Sequence, residues 1–141
     1  MLPATLLPAM GATRKSLFMG ELKSKYERLK ETSGKRIVLV GGSGVAFDCD
    51  SALMDDFFPS YEIVNFGMYA GLGTKAVMDL SENYIHEGDI VILSPEQGEQ
   101  TFSDYFNGEY MWQAADGAFG MLRDLKSENF DAMLGLSLIH I

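Results

Sequence analysis

Three short apolar runs in the first hundred residues set the pattern of the chain: residues 36–40, 61–66 and 89–94. The first run is continuous and rich in β-branched residues, which is typical of a strand buried on both faces of a parallel sheet. Each run ends directly at a glycine or a proline, so each is bounded by a turn signal. We therefore predict three short strands.

Before, between and after these runs, apolar residues recur at helical spacing with polar residues filling the intervening positions. Ser51 is a plausible cap for one such segment. The last and longest segment is weakened by Gly117 and Gly120, because glycine lowers helix propensity. The predicted helices cover residues 17–30, 51–58, 74–85 and 110–126, with one or two further turns in residues 102–106.

The alternation of strand and helix predicts right-handed crossovers and a doubly wound, three-layer, flavodoxin-like parallel sheet with the first strand in the middle. We divide the chain into a leader and amphipathic helix (1–33), an α/β domain (34–135) and a terminal segment (136–141). The terminal Leu136-Ser-Leu-Ile-His-Ile141 matches the translation of a sequencing adapter, and we interpret it as a processing scar without chemistry at His140. The alternative is the start of a genuine apolar strand.

Charge and composition exclude several classes of protein. The formal net charge of -9, from 20 acidic and 11 basic residues, argues against nucleic acid as a partner. Cys49 is the single cysteine, so no internal disulfide forms, and we predict neither a metal site nor a cofactor. The apolar N-terminus is interrupted by Pro3 and Pro8 and is shorter than the roughly 20 residues that a membrane span requires.

The carboxyl ends of parallel strands meet at one rim of a sheet, where ligands of α/β proteins bind. Ser43 lies there in a glycine-rich turn, where small neighbours admit a substrate and the N–H of Gly44 faces a developing oxyanion. Gly67 follows the second strand and has an N–H suited to the same task. For both glycine turns the alternative is a purely structural turn. The three strand ends read Gly41-Gly-Ser43-Gly44, Asn65-Phe-Gly67 and Ser94-Pro-Glu96.

The series Val38-Leu-Val-Gly-Gly-Ser-Gly-Val-Ala-Phe47, Val64-Asn-Phe-Gly67 and Asp89-Ile-Val-Ile-Leu-Ser94 resembles the SGNH/GDSL hydrolases. The resemblance implies that Ser43 is the nucleophile and that Gly67 belongs to the oxyanion hole. Asn65 stands where relatives often have asparagine, and we assign it to substrate binding. Gly42 departs from the aspartate that many members carry.

The third block departs further, because the family usually has an oxyanion-hole asparagine where this chain has Ser94-Pro-Glu96. Glu96 cannot donate a hydrogen bond unless it is protonated, and we assign it to substrate binding. The departure is similar to envelope acyltransferase branches of the superfamily, some of which carry a membrane anchor upstream. The resemblance thus implies an acyl-ester substrate on a carbohydrate or cell-envelope component and favours an extracytoplasmic location, while a cytoplasmic one stays open.

The family's Asp-x-x-His block, which supplies the catalytic base, has no counterpart in this chain. His86 is expected in the loop that enters the third strand, at the opposite end of the sheet from Ser43. We therefore interpret the chain as an N-terminal fragment, truncated after about three strands and nearly inactive, since loss of a base costs several orders of magnitude in rate. The uncovered third strand is expected to promote aggregation.

Two alternatives come from other classes of protein. A non-catalytic domain that binds a glycan or a protein partner would also suit a glutamate in place of the hydrogen-bond donor. A nucleotide-binding half-domain lacks its fingerprint, because Phe47 occupies the third glycine position of Gly-x-Gly-x-x-Gly. The reactivity of Ser43 distinguishes the enzyme from the binding domain.

Overall fold

The strands form one parallel sheet in the order β2-β1-β3, with β1 (Arg36–Gly41) between β2 (Glu62–Gly67) and β3 (Ile90–Ser94). The computed structural model that shows them describes residues 21–102, 104–116, 118–131 and 133. This confirms the predicted α/β class and the central place of the first strand. The order is that of the first three strands of a flavodoxin-like sheet.

Helices cover both faces of the sheet. In the described residues they include α1 (Leu22–Glu31), α2 (Ser43–Asp48), α3 (Ser51–Phe57), α4 (Thr74–Glu82) and α5 (Gly108–Ala114), with 3₁₀ turns at Ala70–Leu72, Glu99–Thr101 and Phe119–Asp124. Residues 127–131 are also helical. The leader residues 1–20, which include the start of the predicted first helix, lie outside the described part. So do Gly117 and the proposed scar with His140.

The period-two alternation of a strand divides the apolar residues of β1 between two cores. Val38 and Val40 belong to the larger core, which also contains apolar residues of α1 and α4. Ile37 and Leu39 belong to a smaller core on the other face, where Val45 of α2 packs. The sheet is therefore the middle layer of three.

The predicted long helix over residues 110–126 is wrong. Helix α5 ends at Ala114, and the chain continues as a 3₁₀ turn that buries Met121 and Leu122 in the main core. The tighter turn brings both side chains onto the core, and the glycines in this segment weaken its tendency to form an α-helix. In residues 102–106, where one or two turns were predicted, the structure has one turn, in which the N–H of Tyr105 donates to the carbonyl oxygen of Phe102 at 3.1 Å.

The cap of α3 is also corrected by the structure. Asp50, rather than Ser51, is the N-cap, and its carboxylate accepts from the N–H groups of Ala52 at 3.0 Å and Leu53 at 3.1 Å. Aspartate and serine are about equally good caps. The sequence alone therefore did not decide between these neighbours.

A buried ion pair ties the sheet together at the end opposite Ser43. Arg36 begins β1 with no exposed side-chain surface, and its guanidinium binds the carboxylate of Asp89, with an Nε to Oδ1 distance of 3.0 Å. The same guanidinium donates to the carbonyl oxygens of Leu29, Thr32 and Tyr84 at 2.8, 3.1 and 2.6 Å. One side chain thus holds the end of α1, the start of β1 and the loop before β3.

Replacement of Asp89 by asparagine should destabilise the protein by about 3 kcal/mol, because it leaves the buried charge of Arg36 unpaired. The Arg36 guanidinium holds the pKa of Asp89 below its ordinary value. The stability that the carboxylate contributes is therefore present above about pH 4 and is lost as pH falls through the lowered pKa. Urea unfolding between pH 7 and pH 3 should show less acid loss in Asp89→Asn than in the native protein. Glu87→Gln, an exposed change in the same loop, is the control, and an equal effect of both changes would contradict the prediction.

Strand β3 is an exposed apolar edge in the described structure, as expected. Ile90, Val91, Ile92 and Leu93 are each 44 to 46% exposed, and β3 pairs with β1 on one side only. Unpaired backbone groups along an apolar strand are a template for pairing between molecules.

Ile92→Lys should therefore reduce self-association, because a lysine on an edge strand opposes pairing with another chain. Static light scattering against protein concentration measures the effect. Met78→Lys adds the same charge at a residue of α4 that is 43% exposed, so it separates the edge from a general effect of net charge. If both changes lower scattering equally, pairing through β3 is not the cause.

Candidate active site

The three strand ends lie level at the C-terminal rim of the sheet, because Gly41 is in register with both Gly67 and Ser94. After Gly41 the extended Gly42 leads directly into α2, whose first residue is Ser43. The structure therefore places the predicted serine at a strand-to-helix turn. Glu96, two residues beyond the end of β3, reaches the same turn.

Glu96 holds the start of α2 through one carboxylate oxygen. The hydroxyl of Ser43 donates to Oε1 of Glu96 at 2.9 Å, and the N–H of Gly44 donates to the same oxygen at 2.8 Å. Ser43, Gly44 and Glu96 thus form one hydrogen-bonded group. We predicted that the Gly44 N–H stabilises an oxyanion; in the structure it donates to a carboxylate of the protein itself.

These contacts lower the pKa of Glu96. The Gly44 N–H contributes most, followed by the Ser43 hydroxyl, while partial burial acts in the opposite direction. Glu96 is consequently ionised at neutral pH and accepts hydrogen bonds there. The serine hydroxyl is therefore oriented by a full negative charge.

At two of the glycines in the turn an added Cβ would overlap a neighbouring residue. A Cβ on Gly41 would lie 2.2 Å from the carbonyl oxygen of Ser94, and one on Gly42 would lie 2.2 Å from Cγ of Glu96. Gly44 differs, since the nearest atom to its added Cβ is Oε1 of Glu96 at 3.7 Å. Space at Gly41 and Gly42 is thus what lets β3 and Glu96 approach the serine.

Asn65 binds the backbone of the protein on both sides of its amide. Its Nδ2 donates to the carbonyl oxygen of Val45 at 2.9 Å, and its Oδ1 accepts from the N–H of Gly67 at 2.9 Å. In this geometry Asn65 positions α2 against β2. Asn65 therefore affects Ser43 through the position of that helix.

Gly67 is packed beneath α2 and is bonded at both backbone groups. A Cβ there would lie 2.3 Å from the backbone nitrogen of Ala46. Its carbonyl oxygen accepts from Nζ of Lys25 at 2.7 Å, and its N–H is bonded to Asn65. Service as an oxyanion donor would require Gly67 to exchange the Asn65 contact for one to substrate.

A small cleft lies beside Glu96 and is mostly apolar. Its cavity volume of about 10 Å³ is close to the space of one water molecule. Sequence reasoning missed the contribution of the segment after β2, although the glycines at 71 and 73 mark a turn there. Gly73 has a φ of 89°, which favours glycine, and α4 begins at the next residue. The lining residues are Val40, Gly41, Gly42, Ala70, Gly73, Thr74, Val77, Leu93 and Glu96.

Aromatic residues near the C-terminus mostly pack within the protein. Tyr110 makes an edge-on contact with Tyr69, and Trp112 makes one with Phe119. Tyr110 and Trp112 also pack against the main core, whereas Phe102 is 63% exposed. None of these five side chains lines the cleft.

No imidazole lies beside Ser43 in the part of the chain that the structure describes. His86 is in the loop before β3, where its backbone N–H donates to the carboxylate of Asp89 at the far end of the sheet. Within the same described ranges, no group of three or more acidic, histidine or cysteine side chains is placed to hold a metal ion. No helix in those ranges is long and apolar enough to cross a membrane.

Comparison with known proteins gives no relative from which to transfer a role. The chain matches no protein-family model, no curated protein and no solved structure. The likeness to SGNH/GDSL hydrolases therefore rests on the motif residues alone. The site must be argued from its geometry.

Gly67→Ala should lower the free energy of unfolding by about 1 to 3 kcal/mol, because the added methyl group overpacks the contact between α2 and β2. Gly44→Ala should cost little, since its Cβ meets no atom closer than 3.7 Å. Urea unfolding followed by circular dichroism compares the two variants. Equal stability of both would show that α2 does not depend on close approach at Gly67.

Proposed function

We propose that the protein acts on an acyl ester through Ser43, by hydrolysis or by transfer, with the ester carried by a carbohydrate or a cell-envelope component. One observation carries the proposal: the Ser43 hydroxyl lies at the rim of the sheet, in a glycine turn, and donates to an ionised carboxylate. The substrate class comes from the resemblance to SGNH/GDSL hydrolases. The geometry of the turn is consistent with it.

In the proposed reaction, Oγ of Ser43 attacks the carbonyl carbon of the ester. The carbon–oxygen bond to the alcohol then breaks, and the alcohol leaves with the proton that Ser43 loses. Water or a second hydroxyl next takes the acyl group from the serine. The proton of that water or hydroxyl returns to Oγ of Ser43. A negative charge develops on the carbonyl oxygen in each step. Since Glu96 keeps the Gly44 N–H while it orients the serine, the Gly67 N–H must receive this charge by releasing Asn65.

Proton transfer limits the expected rate. Among the described residues, Glu96 is the titratable group hydrogen-bonded to the serine hydroxyl, and its lowered pKa makes it a weak base. The serine therefore stays a weak nucleophile unless another base is supplied.

A non-catalytic binding domain is the second candidate, and one observation favours it. Both predicted oxyanion donors are already engaged, the Gly44 N–H by Glu96 and the Gly67 N–H by Asn65. A protein that only binds a glycan or a partner has no need of a free oxyanion hole. The two candidates differ in the reactivity of Ser43.

Incubation with a fluorophosphonate should label Ser43 slowly, with phosphorus–oxygen bond formation and release of fluoride. Added imidazole should accelerate labelling, because it supplies the base that is absent beside the serine. Intact-protein mass and peptide mapping measure the extent and the position. Ser43→Ala should abolish the label.

Ser51→Ala is the matched control, because Ser51 also begins a short helix but lies outside the site. It should label like the native protein. Equal labelling of Ser43→Ala, or no label at Ser43 with imidazole present, would reject the nucleophile and leave the binding domain as the better candidate.

A further inference from the structure

The side chain of Glu96 lies directly across Gly42 on its way to Ser43. A Cβ on Gly42 would fall 2.2 Å from Cγ, 2.5 Å from Oε1 and 2.8 Å from Cδ of Glu96. Each of these distances is far shorter than carbon–carbon or carbon–oxygen contact allows. The present position of the carboxylate therefore exists only because residue 42 has no side chain.

We propose that Glu96 is a positioning residue for Ser43 and that Gly42 is the glycine that admits it. The inference rests on the proposed function of Ser43. Within the unit formed by Gly42, Ser43, Gly44 and Glu96, one carboxylate oxygen sets the direction of the serine hydroxyl and fixes it relative to the first turn of α2. A hydroxyl held in one orientation reacts faster than one that must be ordered during the reaction.

The two glycines that precede Ser43 differ in a way that makes the proposal testable. At Gly41 an added Cβ meets the backbone carbonyl of Ser94, so alanine there would disturb the sheet itself. At Gly42 the three nearest atoms all belong to the side chain of Glu96, which can rotate away. Gly42→Ala should thus displace the carboxylate while the fold remains intact.

The experiment compares three variants: Glu96→Ala, which removes the carboxylate that accepts from Ser43 and Gly44, Gly42→Ala, and the double variant. Each single change should slow imidazole-assisted fluorophosphonate labelling of Ser43 by about tenfold, as loss of correct orientation does. The double variant should label no more slowly than the slower single variant, because both changes remove the same contact. Urea unfolding should show that all three remain folded.

Two controls keep the comparison specific. Gly120→Ala introduces the same methyl group in a 3₁₀ turn where nothing lies within 4 Å of it. Glu99→Ala removes the same side chain from an exposed residue three positions beyond Glu96. Both should label at the native rate. Unchanged or faster labelling in Glu96→Ala, or multiplying effects in the double variant, would overturn the proposal.

A second readout does not depend on chemistry at Ser43. The Gly44 amide resonance in a ¹⁵N–¹H spectrum should lose the downfield position expected of a bond to a carboxylate, and it should move alike in Glu96→Ala and Gly42→Ala. If native Ser43 is not labelled even with imidazole, the proposed function fails and positioning of a nucleophile fails with it. The amide then decides the contact alone: coincident shifts support the Gly42–Glu96 unit, and a native shift in Gly42→Ala overturns it.

Discussion

The buried pair of Arg36 and Asp89 is the constraint on which the rest of the structure depends. It fixes where β1 starts relative to the loop before β3, and the guanidinium also holds the end of α1. Paired parallel strands advance by the same length per residue, so a register set at this end is kept to the other. Five residues after Arg36, Gly41 therefore arrives level with Gly67 and Ser94. The geometry around Ser43 follows from an ion pair at the far end of the sheet.

Much of this architecture could be predicted because its signals are local. A continuous run such as residues 36–40 is enough to indicate a buried parallel strand, and the glycine turn after it locates the serine. The 110–126 segment failed because burial of Met121 and Leu122 is a tertiary effect that a helical period cannot register. Asn65 was placed correctly on β2, but its amide faces α2, and only the packed helix shows that its partners are backbone groups.

The hydrogen bonds of the site were likewise predictable from the sequence only in part. That Glu96 accepts rather than donates follows from its residue type, and the lowered pKa agrees with that expectation. One oxygen of this carboxylate accepts from both Ser43 and Gly44 because the Glu96 side chain crosses Gly42. These contacts join positions more than fifty residues apart in the sequence. A glycine that serves a distant side chain looks the same in sequence as one that only makes a turn. The structure distinguishes Gly42 from Gly44, because an added Cβ would overlap Glu96 at Gly42 but not at Gly44.

The strand that delivers Glu96 is also the least protected strand of the sheet. Strand β3 is held by β1 on one side, and its apolar residues are nearly half exposed. Ser94 ends this strand, and Glu96 follows after one proline, so the carboxylate inherits any movement of the strand end. Local stability is lowest where few contacts hold a segment. Among the described residues β3 pairs with β1 alone, so the position of Glu96, and through it that of the Ser43 hydroxyl, depends on this one pairing.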